Sequence, residues 1–185
     1  MKRGYLIQIL VLIAAFFSLS ANSHAENLLI NPGFEKVDPV GWSTYGDSTY
    51  DTDTYRNDKQ SGKAWVFDYG DGLFEQFVNV IPGTQYQASV YMLNKTADPI
   101  KDGAKAWIQI EWFTSDNAII GDAVKSPLLD GPTDTWKLFS TPAAIAPSNA
   151  AKAKVKLVME APDKKKNTDG SCYFDDATFG VVPLK

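Results

Sequence analysis

The stretch QYQASVYML, residues 85–93, decides the fold class. Its apolar residues Tyr86, Ala88 and Val90 occupy alternate positions. The residues between them are Gln87, Ser89 and Tyr91. Successive side chains of a β-strand point to opposite faces, so this pattern predicts a strand with its first set of residues in the core.

The same alternation recurs along the chain. Within residues 104–113, Ala106, Ile108 and Ile110 are separated by Trp107, Gln109 and Glu111. Further strands are predicted at 27–30, 62–69, 73–80, 136–140, 154–160 and 171–179. Helical periodicity is nearly absent, and residues 38–57 and 119–135 are interpreted as long loops. We therefore predict an all-β fold, specifically a two-sheet β-sandwich or jelly roll.

The N-terminus has the pattern of an export signal. Lys2 and Arg3 precede an apolar run over residues 5–19 and the short sequence Ser23-His24-Ala25. This arrangement predicts a signal peptide over residues 1–25, with a retained anchor as the alternative. Cleavage after Ala25 leaves one domain, residues 26–185, that is secreted to an extracellular or periplasmic location without a membrane-embedded segment.

Composition excludes several kinds of function. Removing Lys2 and Arg3 takes the formal net charge from −4 to −6, which argues against nucleic acid as a partner. The only histidine, His24, leaves with the signal peptide, and this excludes histidine-dependent nucleophiles and histidine metal sites. Cys172 is the only cysteine, so no internal disulfide forms; a buried inert thiol is favoured over a reactive one.

Several motifs in order carry a resemblance to a known family. These are NLLINPGFE (27–35), Gly41-Trp42, Gln76, VIPGTQY (80–86), Thr135-Trp136 and YFDD (173–176). Together they resemble carbohydrate-binding modules of families four, nine and twenty-two. The resemblance covers essentially the whole chain after the signal peptide and implies a galactose-binding-like jelly roll.

The motif residues also have structural interpretations. We expect Trp42 and Trp136 to fill the core at the ends of the sandwich, and Gln76 to be a buried amide bonded to backbone. The resemblance further implies a structural calcium ion with Glu35 and Asp175 as ligands, completed by carbonyl oxygens of residues 59–62. In a regular strand Asp176 would point away from Asp175, so only one of them would coordinate. The alternative is that both aspartates cap the strand end in solvent.

A sugar-binding surface needs flat aromatic rings and hydrogen-bonding amides or carboxylates. The outward positions of the predicted strands supply such a set. The candidate carbohydrate-binding residues are Trp65, Gln87, Tyr91, Trp107, Gln109 and Glu111. They would form one surface if their strands are neighbours; alternatively, long loops cover Tyr91 and Trp107 as a second small core. The loop 44–57, which contains Tyr45, Tyr50 and Tyr55, is either a wall of this cleft or an exposed loop.

Three functional classes follow from these observations. The favoured one is non-catalytic binding of a plant or microbial polysaccharide such as xylan or β-glucan, with a separate glycan-degrading enzyme as a possible further partner. The alternative is a secreted surface or adhesive protein that uses the same sandwich for protein contacts. A glycan-cleaving enzyme using Glu75 and Glu111 is the weakest, because it needs two carboxylates about 5 to 9 Å apart across a cleft.

Overall fold

The computed structural model describes residues 26–36, 41–161 and 169–183, and this part of the chain contains eleven strands and no helix. The strands are β1 Ser43–Gly46, β2 Ser48–Asp51, β3 Ser61–Phe67, β4 Gly70–Asn79, β5 Gln85–Leu93, β6 Lys105–Phe113, β7 Ile119–Lys125, β8 Lys137–Ser140, β9 Ala144–Ile145, β10 Lys152–Ala161 and β11 Asp169–Val181. The predicted signal peptide, residues 1–25, lies outside the described residues. Among those residues no helix has the length and apolar character to cross a membrane.

The strands form two antiparallel sheets that pack face to face. The front sheet has the order β1-β4-β10-β6-β7. The back sheet has the order β2-β3-β11-β5-β8, with β9 also paired to β5. The predicted all-β sandwich is therefore confirmed.

The core lies between the two sheets and contains the residues that the alternating pattern predicts. Tyr86, Ala88 and Val90 of β5 are at most 2% exposed, and the corresponding residues of β6 are fully buried. Trp42 is also in the core, where its ring stacks on Phe34 with 5.4 Å between centroids. Burial of this apolar surface is the main contribution to the stability of such a fold.

Gln76 has the predicted structural role. Its side-chain amide accepts from the N–H of Ile30 at 2.7 Å and donates to the carbonyl of Ile30 at 3.0 Å. Trp136 is only half-buried, so the expectation that it fills the core is wrong. Cys172 is fully buried, and burial raises the pKa of its thiol, which agrees with an inert side chain.

The predicted loops contain strands that the sequence pattern does not reveal. β1 and β2 lie within 38–57, and β7 lies within 119–135. Each is at or beside the edge of its sheet and has little buried surface, so it lacks alternating apolar residues. Conversely, the predicted first strand, 27–30, is not part of a ladder, although the N–H of Leu28 donates to the carbonyl of Phe179 at 2.8 Å.

Candidate functional site

The six candidate sugar-binding residues do not form one surface. β5, with Gln87 and Tyr91, is in the back sheet, whereas β6, with Trp107, Gln109 and Glu111, is in the front sheet. The outward residues of these two strands therefore lie on opposite outer faces of the sandwich. Alternation identifies the face of a strand on which a residue lies, but it does not identify the sheet to which the strand belongs.

On the front sheet, Trp107 and Gln109 are covered. Trp107 is 6% exposed and Gln109 is 5% exposed. The indole N–H donates to Gln109 Oε1 at 2.6 Å, and Gln109 Nε2 donates to Glu111 at 2.6 Å. Lys125 places its ammonium 4.4 Å from the centre of the Trp107 ring, and Lys156 lies 3.4 Å from Glu111. The expectation of an open face is wrong here, and the alternative of a second small core describes these residues.

On the back sheet, a cation covers the ring of Tyr91 in a similar way. The guanidinium of Arg56, from the segment between β2 and β3, lies 3.6 Å from the centre of the Tyr91 ring. Gln87 donates to the carbonyl of Thr141 at 2.8 Å. Trp65 is half-buried like Tyr91, but it lines a cleft of about 500 Å³.

An open aromatic cleft lies at one end of the front sheet. The cleft, which we call the tyrosine cleft, has a volume of about 290 Å³ and is lined by Tyr45, Tyr69, Gly70, Asp71, Glu160 and Ala161. Tyr45 is 66% exposed and Tyr69 is 54% exposed. Two large, solvent-exposed aromatic side chains thus lie beside two carboxylates.

The strand register joins this cleft to the centre of the front sheet. Tyr45 is paired with Leu73, Leu73 with Val158, and Val158 with Trp107. Directly paired residues of antiparallel strands point to the same face, so these four residues form one outward-facing row. The row runs from the covered indole, through the buried Val158 and Leu73, to the exposed Tyr45 of the tyrosine cleft.

Two close backbone approaches place Tyr45 beside Asp71. Gly46 has a φ of +62°, and a Cβ there would lie 1.9 Å from the carbonyl oxygen of Asp71. A Cβ on Gly72 would lie 2.0 Å from the carbonyl oxygen of Asp47. Only glycine permits this approach, so the turn between β1 and β2 packs directly on β4.

Tyr69 is positioned by the tight connection between β3 and β4. Its N–H donates to the carbonyl of Phe67 at 2.7 Å, and the intervening Asp68 has a φ of 61°. The sequence reasoning missed Tyr69, Asp71 and Glu160 as site residues. The Tyr69-Gly70-Asp71-Gly72 segment contained a signal, since glycines flanking outward polar residues are typical of close backbone packing.

The carboxylates predicted to hold calcium contact one segment, residues 56–60. Glu35 accepts from the N–H of Lys59 at 3.1 Å and from that of Gln60 at 3.2 Å. Asp175 Oδ2 accepts from the N–H of Arg56 at 2.7 Å and from that of Asn57 at 3.3 Å. Desolvation raises the pKa of the fully buried Asp175 to about 6, although hydrogen bonds from backbone N–H groups oppose the shift.

Asp176 reaches the same segment, contrary to the expectation that it points away. Its carboxylate accepts from the side chain of Asn57 at 2.6 Å and pairs with the Arg56 guanidinium. The register of β11 against β5 shifts between Asp175 and Thr178, and Asp176 has a φ of 48°. Such a bulge breaks the alternation of side chains, so both aspartates approach one loop.

The contacts around these carboxylates come from nitrogen donors. The segment presents N–H donors and a guanidinium to the carboxylates, whereas calcium requires oxygen ligands, including the predicted carbonyls of 59–62. Within residues 26–36, 41–161 and 169–183, no group of three or more His, Cys, Asp or Glu side chains is placed to hold a metal ion. Calcium binding is not tested by these contacts and stays a prediction.

The two glutamates considered for glycan cleavage are poorly placed for that reaction. Glu75 is on β4 and Glu111 is on β6, with β10 between them, and their positions differ by two residues along the strands. Two strand spacings of about 4.8 Å and this offset place their backbones roughly 12 Å apart. Each also has a lysine of β10 within reach, since Lys154 lies 3.2 Å from Glu75 and Lys156 lies 3.4 Å from Glu111.

Comparison with known proteins supports the fold. No protein-family model matches the sequence, and no curated protein is significantly similar to it. The enzymatically active domain of tailspike protein 4 from bacteriophage CBA120 has a TM-score of 0.62 at 16% identity, and the match covers 84% of this chain but 21% of that one. This chain thus spans about a fifth of the tailspike chain.

Two carbohydrate-binding modules match over nearly their full lengths. The CBM22-1 xylan-binding domain of Xyn10C from Paenibacillus barcinonensis has a TM-score of 0.61 at 14% identity, covering 87% of this chain and 97% of that domain. TmCBM61, solved in complex with beta-1,4-galactotriose, has a TM-score of 0.58 at 17% identity, covering 85% of this chain and all of that one. The predicted resemblance in fold to carbohydrate-binding modules is thus confirmed.

Proposed function

We propose that this protein binds carbohydrate without catalysing a reaction, and that the ligand lies in the tyrosine cleft. The observation that carries the proposal is the pair of exposed rings, Tyr45 and Tyr69, beside the carboxylates of Asp71 and Glu160. The C–H face of a sugar ring packs on a flat aromatic ring, and its hydroxyls donate hydrogen bonds to carboxylates. The fold shared with xylan- and galactotriose-binding modules supports the proposal.

The expected ligand is a plant or microbial polysaccharide such as xylan or β-glucan. The exposed rings of Tyr45 and Tyr69 suit a chain that lies along the surface. Export by the predicted signal peptide would bring the protein to such a substrate, outside the cell or in the periplasm. A separate glycan-degrading enzyme would then act on the same material.

A structural calcium ion at Glu35 and Asp175 is a separate proposal, supported only by the family resemblance. To accept it, the segment 56–60 would have to exchange N–H donors for carbonyl oxygens. Calcium binding to the folded state alone would raise the melting temperature in a concentration-dependent way. A reversible fall in melting temperature with EDTA is the result that this proposal predicts, and an identical melt with EDTA and with added calcium would remove it.

Affinity electrophoresis in gels containing xylan, β-glucan, mannan or galactan tests the carbohydrate proposal. We expect at least one polysaccharide to retard the wild-type protein, and Tyr69→Ala to reduce the retardation strongly. Tyr55→Ala is the matched control, because Tyr55 is 45% exposed but does not line the cleft. If no polysaccharide retards the protein, the adhesive alternative is favoured; release of reducing sugar from any of them would contradict a non-catalytic role.

A further inference from the structure

We propose that the back sheet carries a second carbohydrate-binding site, centred on Trp65. This cleft, which we call the tryptophan cleft, has a volume of about 500 Å³, compared with about 290 Å³ for the tyrosine cleft. The side chains that line it include Asp51, Lys63, Trp65, Phe67, Asp98 and Asp169. The inference rests on the proposed function for its class of ligand, but it concerns a different surface.

The aromatic part of the cleft comes from one strand. Trp65 and Phe67 are two residues apart on β3, so both point to the outer face of the back sheet and lie about 7 Å apart along the strand. Trp65 is half-buried and Phe67 is 71% exposed. A fixed indole next to an exposed phenyl ring forms an apolar surface suited to the C–H faces of sugar rings.

The cation over the Trp65 ring is farther away than the cations over Tyr91 and Trp107. Lys63 is its neighbour on the same face, but the ammonium is 6.0 Å from the ring centroid. The corresponding distances are 3.6 Å for Arg56 over Tyr91 and 4.4 Å for Lys125 over Trp107. Lys63 is closer to the ring of Tyr173, at 5.3 Å, which leaves the indole accessible from the cleft.

The polar groups of the cleft are mainly hydrogen-bond acceptors. Asp51 and Asp98 line it together with Asp169, whose nearest cation is Lys101 at 3.8 Å. Asp51 uses Oδ1 to accept from two backbone N–H groups, and its Oδ2 has no such bond among the described contacts. Carboxylates accept hydrogen bonds from sugar hydroxyls but repel uronic acids. The expected ligand is therefore a neutral polysaccharide.

The residue paired with Trp65 on the neighbouring strand is a buried serine. Ser171 is directly paired with Trp65, so its side chain points to the same face of the back sheet. The residue is fully buried, and Ser171 Oγ has no hydrogen-bond partner among the described residues. Ser171 does not line the cleft, so a ligand there would contact the Trp65 ring rather than this hydroxyl.

The two clefts lie on either side of a single connection. Phe67, the last residue of β3, lines the tryptophan cleft, and Tyr69, just before β4, lines the tyrosine cleft. β3 belongs to the back sheet and β4 to the front sheet. One polysaccharide could therefore contact the protein at two places, and two sites increase the overall affinity for a polymer without any new contact.

The test compares single and double variants in the four polysaccharide gels, with polygalacturonate as the acidic probe. We expect Phe67→Ala and Trp65→Ala each to raise the dissociation constant for a retarding neutral polysaccharide, with Trp65→Ala giving about a tenfold change. Tyr69→Ala with Trp65→Ala should abolish retardation, whereas Tyr69→Ala alone should leave part of it. Phe67→Ala is the control for misfolding: Phe67 is 71% exposed, so its removal should not destabilise the fold.

The outcomes separate the second site from the proposed function. If Tyr69→Ala abolishes retardation while Trp65→Ala and Phe67→Ala match the wild type, the second site is overturned and the tyrosine cleft remains. If only the β3 variants weaken retardation, the tryptophan cleft is supported and the tyrosine cleft fails. Retardation by polygalacturonate that Phe67→Ala reduces would overturn the neutral ligand class.

Discussion

The aromatic residues at the centres of the two sheets differ from those beside the connection between β3 and β4. Trp107 and Tyr91 point outward, yet a cation covers each ring: Lys125 at 4.4 Å and Arg56 at 3.6 Å. Tyr45 and Tyr69, by contrast, are 66% and 54% exposed. A side chain that points outward from a strand is therefore not always accessible to solvent. In this set the accessible rings lie on the edge strand β1 and in the connection between β3 and β4.

The covering groups explain this difference. Lys125 comes from β7 at the edge of the front sheet, and Arg56 comes from the segment between β2 and β3. The Lys125 side chain lies over Trp107 from the adjacent strand, and the Arg56 side chain lies over Tyr91 from a connecting segment. We expect the covered rings to contribute to stability and the exposed rings to contribute to binding, and three substitutions test that division.

The largest effect is expected for Trp107→Ala. The change removes a buried indole and leaves Gln109 without its donor, so the free energy of unfolding should fall by about 3–5 kcal/mol. Urea denaturation followed by circular dichroism measures the change. Tyr45→Ala is the matched control, and we expect its stability to lie within about 0.5 kcal/mol of the wild type. A Trp107→Ala protein as stable as the control would show that the indole is not part of a second core.

A smaller effect is expected for Arg56→Ala. Arg56 pairs with Asp176, and its guanidinium also lies over the Tyr91 ring, but its side chain is 30% exposed. We expect a loss of about 1 kcal/mol in the free energy of unfolding. Arg56→Lys should recover only part of it, because an ammonium lacks the planar guanidinium that stacks on a ring. Full recovery by lysine would mean that charge alone accounts for the contact.

The smallest effect is expected for Lys125→Met, which keeps most of the length and apolar character of the side chain. Loss of the cation above Trp107 should lower the free energy of unfolding by about 0.5 kcal/mol, and the loss should become smaller at high salt. Denaturation at low and high ionic strength measures the loss in the free energy of unfolding and its dependence on salt. A loss as large as that of Trp107→Ala would show that Lys125, rather than burial of the indole, stabilises this face.

Much of the fold could be predicted because burial leaves a regular pattern. The long central strands β5, β6 and β10 bury one face, so alternation identified them and their core residues. β1, β2 and β7 bury little surface, and their sequences resemble loops. The bulge at Asp175 and Asp176 could not be predicted, since it depends on how β11 pairs with β5.

The candidate site was harder to predict, because accessibility depends on contacts between distant segments. Trp65 lines a cleft, but Trp107 and Gln109 are buried by residues that are remote in sequence. Tyr69 had appeared to be the end of a strand. It lies in a cleft because Asp68 reverses the chain between the two sheets and Gly70 begins the next strand. No alternation of apolar residues contains that information.

The most direct test of the central claim is calorimetric titration of the Tyr45→Ala/Tyr69→Ala double variant. The ligand is the neutral polysaccharide that most retards the wild-type protein, and each melting temperature is measured alongside. The proposed function predicts that the wild type binds and that the double variant loses at least about tenfold in affinity while its melting temperature is unchanged. Equal affinity of the two proteins for that polysaccharide would contradict the assignment of the tyrosine cleft as the binding site.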